Sequence, residues 1–520
     1  MAPTTFSDLP PEMVSNVFAF VRQKDDQGAI CLVSRAWRDH MAPMMWEELE
    51  TDLGAASARS MATLLHPRSG ILSHVRDLEI NGTKEGEDRL KLVIAAIPQD
   101  RVRSVWTEFD MGTLTLQLLL LSQRKIEYLS GFEWLATPGH SESSDLDSKE
   151  HYEWMGSSLL EVLSIHLSTA NRLESVSRCC PKITNLSLLI QPVSASRGTG
   201  TSLSALFNHL KEAPLFPNLT VLRLWYLNMA SPEGQTVCKS LNLSKVRILE
   251  IRECYPFVPF LEGLSSFYTD NTGDLDELLI EFPTQLDQAL ETVQAVEKLL
   301  RACPQLESLQ LDLSQHGFVA EDCILAHCQT LTTLWISTGL SSLDGFLSAK
   351  DMGSILGACN KLNALAINMP SLGAVASLDT EFVNMLNVIS KSPSILTFRI
   401  FNLPKLGLWD QIPEEWPIST RHMSHMTLYQ VLMQNIANQI LRSMAKQGSN
   451  LKVLSFKPSH EQSMFKEEEL VRDGNGHRWP EYHYCRAHAT DITGTTVVIA
   501  NPLRNIELEF PAMAEFFDYI

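Results

Sequence analysis

One hydrophobic pattern returns along most of the chain. An apolar residue is followed by two variable residues, a leucine, one variable residue, and then Leu or Ile. Clear copies begin at Val75, Leu160, Leu219, Leu306, Leu331, Leu362 and Leu451. Weaker copies begin at Val102, Ile126, Ile183, Val246, Leu275, Ile395 and Leu503. Up to Ile395 the starts are spaced about 29 residues apart, in the range of repeat architectures. The core of each copy alternates as a half-buried strand does. Positions one, four and six are expected inward, and positions three, five and seven on the opposite face. Helical stretches lie between copies, such as Gln285 to Ala302 and Thr380 to Lys391, and many close on a small corner. Cys180, Cys303, Cys328 and Cys359 all fall at that corner, where a small buried thiol fits. One strand–helix unit cannot bury its own apolar face, so the units must stack in parallel. Two stretches break the rhythm and are expected as insertions: 402–423, rich in Pro and Trp, and 457–490, which is charged. A long helix is expected between them, from about Ser424 to Gln447, with one edge of its Leu428, Val431, Leu432, Asn435, Gln439 stripe exposed.

The first fifty residues follow a different period. Pro10-Pro11 suits a helix start, where a missing N–H costs nothing. Met13, Val14, Val17, Phe18 and Val21 then recur at helical spacing, and Ile30, Val33 and Trp37 make a second stripe. Pro43 is expected to open a third short helix holding Trp46 and Leu49. The order Leu9-Pro10-Pro11-Glu12-Met13, Val17-Phe18, Cys31-Leu32-Val33-Ser34-Arg35-Ala36-Trp37-Arg38 and Pro43 to Trp46 resembles an F-box. That resemblance implies docking on a Skp-type adaptor, and through it a cullin, by Leu9, Pro10, Met13, Val17, Phe18, Cys31, Leu32 and Val33. Gly28 departs from the family pattern. Its cost of about 1 kcal/mol in a helix interior makes a later start of the second helix the expectation.

The period and LxxLxL core resemble leucine-rich repeats. With the amino-terminal motif, the chain resembles the F-box/leucine-rich-repeat family, whose fungal members have irregular repeats of this kind. The implied fold is α/β. A three-helix F-box spans 1–50, a linker or capping helix 51–70, and a leucine-rich-repeat solenoid 71–520, a curved parallel sheet with outer helices. The side chains at positions three, five and seven would line its concave face. Trp, Tyr and Arg dominate binding hot spots, and leucine-rich strands need no Trp at exposed positions. Trp106, Arg223, Trp225, Trp335, Arg399 and Phe401 are therefore the expected contacts to a target protein.

Charge and composition narrow the reading. The 520 residues exceed what one compact core holds, so a repeat or several domains are required. A formal charge of −19 disfavours nucleic acid and an anionic membrane surface. No signal peptide is expected, and the apolar-rich run from Leu114 to Leu121 is too short to span a bilayer. Ten cysteines without a CxxC pair read as reduced thiols of a cytoplasmic or nuclear protein. No GxSxG, HExxH or phosphate-loop motif is present, so no catalytic site and no cofactor are expected. His477, His483, Cys485 and His488 have zinc-like spacing, but no metal site is assigned to an isolated HxCxxH. The resulting expectation is a substrate-recruiting subunit of an SCF-type ubiquitin ligase that recruits a target not identified by the sequence. A non-ligase interaction scaffold uses the same features. An enzyme built on the histidine-rich insertion is the third reading.

Overall fold

A computed structural model describes residues 9–21, 24–109, 111–130, 161–166, 182–189, 216–227, 229, 240–241, 243–254, 258–271, 273–282, 289–303, 305–313, 317–337, 347–370, 380–401, 418–456, 482–490, 492–503 and 510. The chain divides into two compact units, Met1–Ser231 with Thr236–Lys245, and Pro232–Gln235 with Val246–Ile520.

The first unit opens with three helices, α1 (Pro11–Phe18), α2 (Lys24–Val33) and α3 (Arg35–Met45). Val14, Phe18 and Met41 form their core, with Leu9, Val21, Ile30, Cys31 and Trp37 packed around it. Phe18 and Trp37 meet edge to face at 5.4 Å. Ser34 divides the second stripe, because its side chain accepts the Trp37 N–H and starts α3. Gly28 does not delay α2, which runs through it from Lys24. Ile30 and Cys31 on the following turn pack into the bundle, and that contact offsets the glycine's cost. Pro43 lies within the last turn of α3 instead of opening a new helix. Leu49, expected on that helix, instead sits in β1 (Glu48–Asp52), where it is buried between outward-facing neighbours. The stretch 51–70 ends β1 and then holds α4 (Ala58–Leu65), capped by Ser57.

Strands β2 (Asp77–Asn81), β3 (Ser104–Thr107), β4 (Tyr128–Leu129), β5 (Val162–His166), β6 (Asn185–Leu189) and β7 (Val221–Trp225) follow β1 in parallel order. Two described helices lie between them, α5 (Glu87–Ala96) and α6 (Thr113–Ser122). The leucine positions stack in register, Leu49 on Leu78 on Val105 and Leu186 on Leu222. At each corner the position-two carbonyl accepts two N–H groups of the next copy. Arg76 O takes Arg103 N at 2.8 Å and Ser104 N at 3.2 Å, and Arg103 O takes Glu127 N and Tyr128 N. The backbone at position two is thus used while its side chain stays free to be polar.

The second unit repeats the scheme with β8 (Ile248–Arg252), α7 (Val258–Asp270), β9 (Glu277–Glu281), α8 (Ala289–Ala302), β10 (Ser308–Asp312), α9 (Glu321–Leu325), β11 (Thr333–Ser337), α10 (Ala349–Ala358), β12 (Ala364–Ile367), α11 (Thr380–Ser390), β13 (Thr397–Ile400), α12 (Ile418–Lys446) and β14 (Val453–Phe456). These strands are parallel, and Leu309, Leu334, Leu365, Phe398 and Leu454 make one inward ladder. Then the direction changes. β15 (Tyr482–Thr490) and β16 (Thr496–Pro502) are antiparallel, so the charged insertion ends in a strand. Helix α12 starts at Ile418, inside the stretch expected as an insertion. Val431, Asn435 and Gln439 of its expected mixed stripe face out, whereas the Leu428 and Leu432 side chains lie outside the described residues. A different row closes the sheet edge. Gln434 and Arg442 donate to the Ala500 and Val498 carbonyls, and Asn438 Oδ1 accepts the Ala500 N–H at 2.8 Å. Spaced by four residues, they act as a substitute strand and satisfy an edge that would otherwise be open to pairing. Residues 402–417, 457–481 and the strand expected after Leu503 lie outside the described residues.

Candidate protein-interaction surfaces

The helical bundle buries one face of α1 and leaves another bare. Val14 and Phe18 turn inward, while Met13, Val17 and Phe20 are exposed, Phe20 by 85%. The spacing of four and three residues sets these three along one stripe. Leu32, also 85% exposed, and Val33 add apolar surface at the end of α2. Pro10 is exposed and Leu9 and Cys31 are half-buried. Phe18, expected as a docking contact, is only 3% exposed, because its ring fills the bundle against Trp37. Phe20 was missed, although its helical spacing from Val17 was legible. Burial raises the Cys31 thiol, so it stays protonated at neutral pH.

The outward face of the strands differs between the two units. In the first unit β2, β3 and β7 alternate between buried and half-exposed positions, as a sheet with one solvated face does. Trp106, Arg223 and Trp225 are half-exposed there, and Arg223 donates to Asn185 Oδ1 at 2.8 Å across adjacent strands. Tyr226, immediately after β7, has a positive φ of 59° and remains partly exposed. In the second unit the alternation fades along the row until β12, β13 and β14 are buried at every position. Trp335 stacks on Phe401 at 5.0 Å, and the Arg399 guanidinium lies 4.7 Å from the centre of the Trp335 ring. Ala364, Ala366, Val453 and Leu503 complete this cluster, with Cys485 and Phe510 packed against it. The expectation of an open aromatic groove at Trp335, Arg399 and Phe401 is therefore corrected: these side chains are interior. β15 extends the sheet beside β14, and Leu503, Cys485 and Phe510 pack on the cluster along a face that the sequence pattern leaves solvated.

Compared with known protein families, the chain matches the F-box domain over residues 6–42. Residues 6–42 are an F-box domain. No curated protein matches the chain. F-box domains in general bind Skp-type adaptors, and F-box proteins are in general substrate-adaptor subunits rather than enzymes. The exposed stripe Met13, Val17, Phe20, with Leu32 and Val33, lies within this F-box or directly on its helices.

The histidine-rich stretch behaves differently from a metal site. His483 and Cys485 face one side of β15, and His488 faces the other, since strand side chains alternate. His483 Nδ1 lies 2.7 Å from the Ser455 hydroxyl. Among the described residues no three His, Cys, Asp or Glu side chains converge to hold a metal ion. His477 lies outside them. Corner Cys359 and helical Cys323 have thiols pushed by burial to about 11, and burial also raises Cys303, so these groups are packing residues.

Near the F-box, β1 and β2 carry a row of carboxylates on the half-open face. Burial and then neighbouring Glu50 and Glu48 raise the Glu79 carboxyl, and burial followed by Glu47 and Glu48 raises Asp77. A carboxyl held above its unfolded value opposes folding once ionised, and the penalty is relieved as pH falls through the raised value. Glu79→Gln should therefore raise the melting temperature at pH 7 and flatten its rise on acidification toward the carboxylate range. Thermal melts of both proteins at several pH values check this, and a variant less stable than its parent at pH 7 would contradict it.

Proposed function

We propose that the protein is the substrate-recruiting subunit of an SCF-type cullin–RING ubiquitin ligase. Its F-box holds a Skp-type adaptor, and its strand–helix body is a leucine-rich-repeat array that recruits the protein to be modified. The observation carrying the first half is the bare apolar stripe of Met13 and Val17 on α1, whose other face is packed, continued by Phe20 in the turn that follows it. An isolated stripe of this size calls for a protein partner. Recruitment is placed on the open strand face of the first unit, through Trp106, Arg223 and Trp225, since the equivalent face of the second unit is filled from β12 onward. Ubiquitin transfer belongs to other subunits, so the chain works without a cofactor of its own. Free thiols suit a cytoplasmic or nuclear setting.

The test uses side chains that the bundle does not need. Met13→Asp with Val17→Asp should weaken adaptor binding at least about tenfold, as loss of an apolar anchor does. The fold should be kept, because both residues are exposed. Adaptor affinity by calorimetry, with circular dichroism of the variant, provides the measurement. A folded variant with full affinity would remove the F-box docking assignment. Co-purifying cullin, and a partner whose lifetime lengthens on loss of the protein, distinguish a ligase subunit from a scaffold.

A further inference from the structure

We infer that the open strand face of the first unit accepts a basic, extended segment of the recruited protein, its lysines and arginines meeting the carboxylates of β1 and β2 and the ring of Trp106. This rests on the reading of that face as the recruiting surface and names the chemistry of what it takes. Register places the groups. Glu48 pairs with Asp77, Glu50 with Glu79, and Glu79 with Trp106. Leu49, Leu78, Ile80 and Val105 between them are buried, so the carboxylates and the indole share the other side. All are exposed or half-exposed. Same-face residues along a strand lie about 7 Å apart, and adjacent strands about 4.8 Å apart. An extended peptide repeats its side chains on that same period of about 7 Å, so alternate cations reach successive carboxylates.

Among the described residues, the cations near this face stand at its margins. Lys24 of the F-box stands 3.9 Å from Glu50, and Arg76 stands 3.3 Å from Glu47. Asn81 donates to Glu50, Glu108 accepts the Gly82 N–H, and Asp52 is used to hold the turn at Ala55. Arg76 and Arg103 act on Asp77 electrostatically, and Lys24 on Glu79, yet both carboxyls remain raised by burial and by their acidic neighbours. A single ion does not fit the demand, because no three of the described carboxylates converge on one point. Cations spaced along a polypeptide do fit, and the half-exposed indole of Trp106, in register beside Glu79, is a side chain of the kind that attracts a guanidinium or ammonium. The net charge of −19 has the same sign as this face and favours encounter with a basic segment.

The probe is a fluorescein-labelled decapeptide of alternating lysine and threonine, titrated against the full chain by fluorescence anisotropy, with its glutamate–threonine counterpart as the opposite-charge control. The lysine peptide should bind, more weakly as salt rises, and the glutamate peptide should not. Glu50→Gln with Glu79→Gln should weaken binding about tenfold, as loss of facing charges does, and Trp106→Ala should weaken it further. Both glutamine changes preserve shape, and thermal melts confirm that the variant is folded. Asp270→Asn with Glu291→Gln removes exposed carboxylates from the second unit and should leave binding unchanged. Equal losses from the two pairs, or undiminished binding in the Glu50/Glu79 variant, would overturn the inference and leave only bulk charge attraction. Capture of partners with the proteasome blocked separates this from the parent reading. If Arg223→Ala with Trp225→Ala loses a partner that the Glu50/Glu79 variant keeps, recruitment by this face stands and the basic class falls. If neither variant loses a partner, both fall.

Discussion

Trp335→Ala should cost the second unit about 3–5 kcal/mol, the loss expected for a buried aromatic cut to a methyl. The indole is only 6% exposed and fills the space between β12, β13 and the Leu503 layer. Its removal leaves a cavity and also strips one aromatic wall from the Arg399 guanidinium, which is fully buried beside it. Phe401, 5.2 Å from the same charge, stacks on the indole at 5.0 Å and loses that partner as well. Urea unfolding of the full chain, followed by the loss of β-sheet signal, measures the change. Adaptor binding should persist, because the F-box folds on its own small core in the first unit. A variant that keeps its stability but loses a partner would mean that Trp335 serves recognition rather than packing.

Leu309→Ala and Leu365→Ala should each cost about 2–5 kcal/mol, whereas Glu307→Ala and Asn363→Ala should change stability by no more than about 0.5 kcal/mol. Leu309 and Leu365 occupy position four of their copies and lie on one ladder through Leu334, all buried. Glu307 and Asn363 occupy position two, where only the backbone works. The Glu307 carbonyl accepts the Thr332 and Thr333 N–H groups, and the Asn363 carbonyl accepts those of Leu396 and Thr397. Alanine keeps those bonds. Equal losses at all four sites in denaturant unfolding would contradict the inward and outward assignment of the repeat.

The strands were legible because their signal is local. Apolar residues at positions one and four, most often with a third at six after one variable residue, repeat within a few residues, and the described strands from β2 to β14 begin at position three of a copy. The helices of the F-box were legible for the same reason, through stripes at steps of three and four. Misreadings came where two local rules competed. Pro43 reads as a helix start, yet the Ser34 cap had already set α3 in motion, and Leu49 found a better burial in β1 against β2. Gly28 reads as a weak point, but packing of its neighbours outweighs its propensity.

Burial of the outer face was not legible. Alternation states which side chains share a side of a strand, and it states nothing about whether another layer lies over that side. Arg399 and Trp335 carry the same outward pattern as Arg223 and Trp225, and among the described residues the distant Leu503 and Phe510 pack where the first pair becomes core. The row of Gln434, Asn438 and Arg442 on α12 that closes β16 is equally silent in sequence, since its partners are backbone atoms rather than side chains of a recognisable type. By itself, the sequence determined the F-box helices and the repeating strand, because both follow from periodicities that a chain carries locally. The tertiary structure alone decided which stretch of the outward face is buried and which stays half-exposed, because covering a face is a long-range contact between segments that no local period connects.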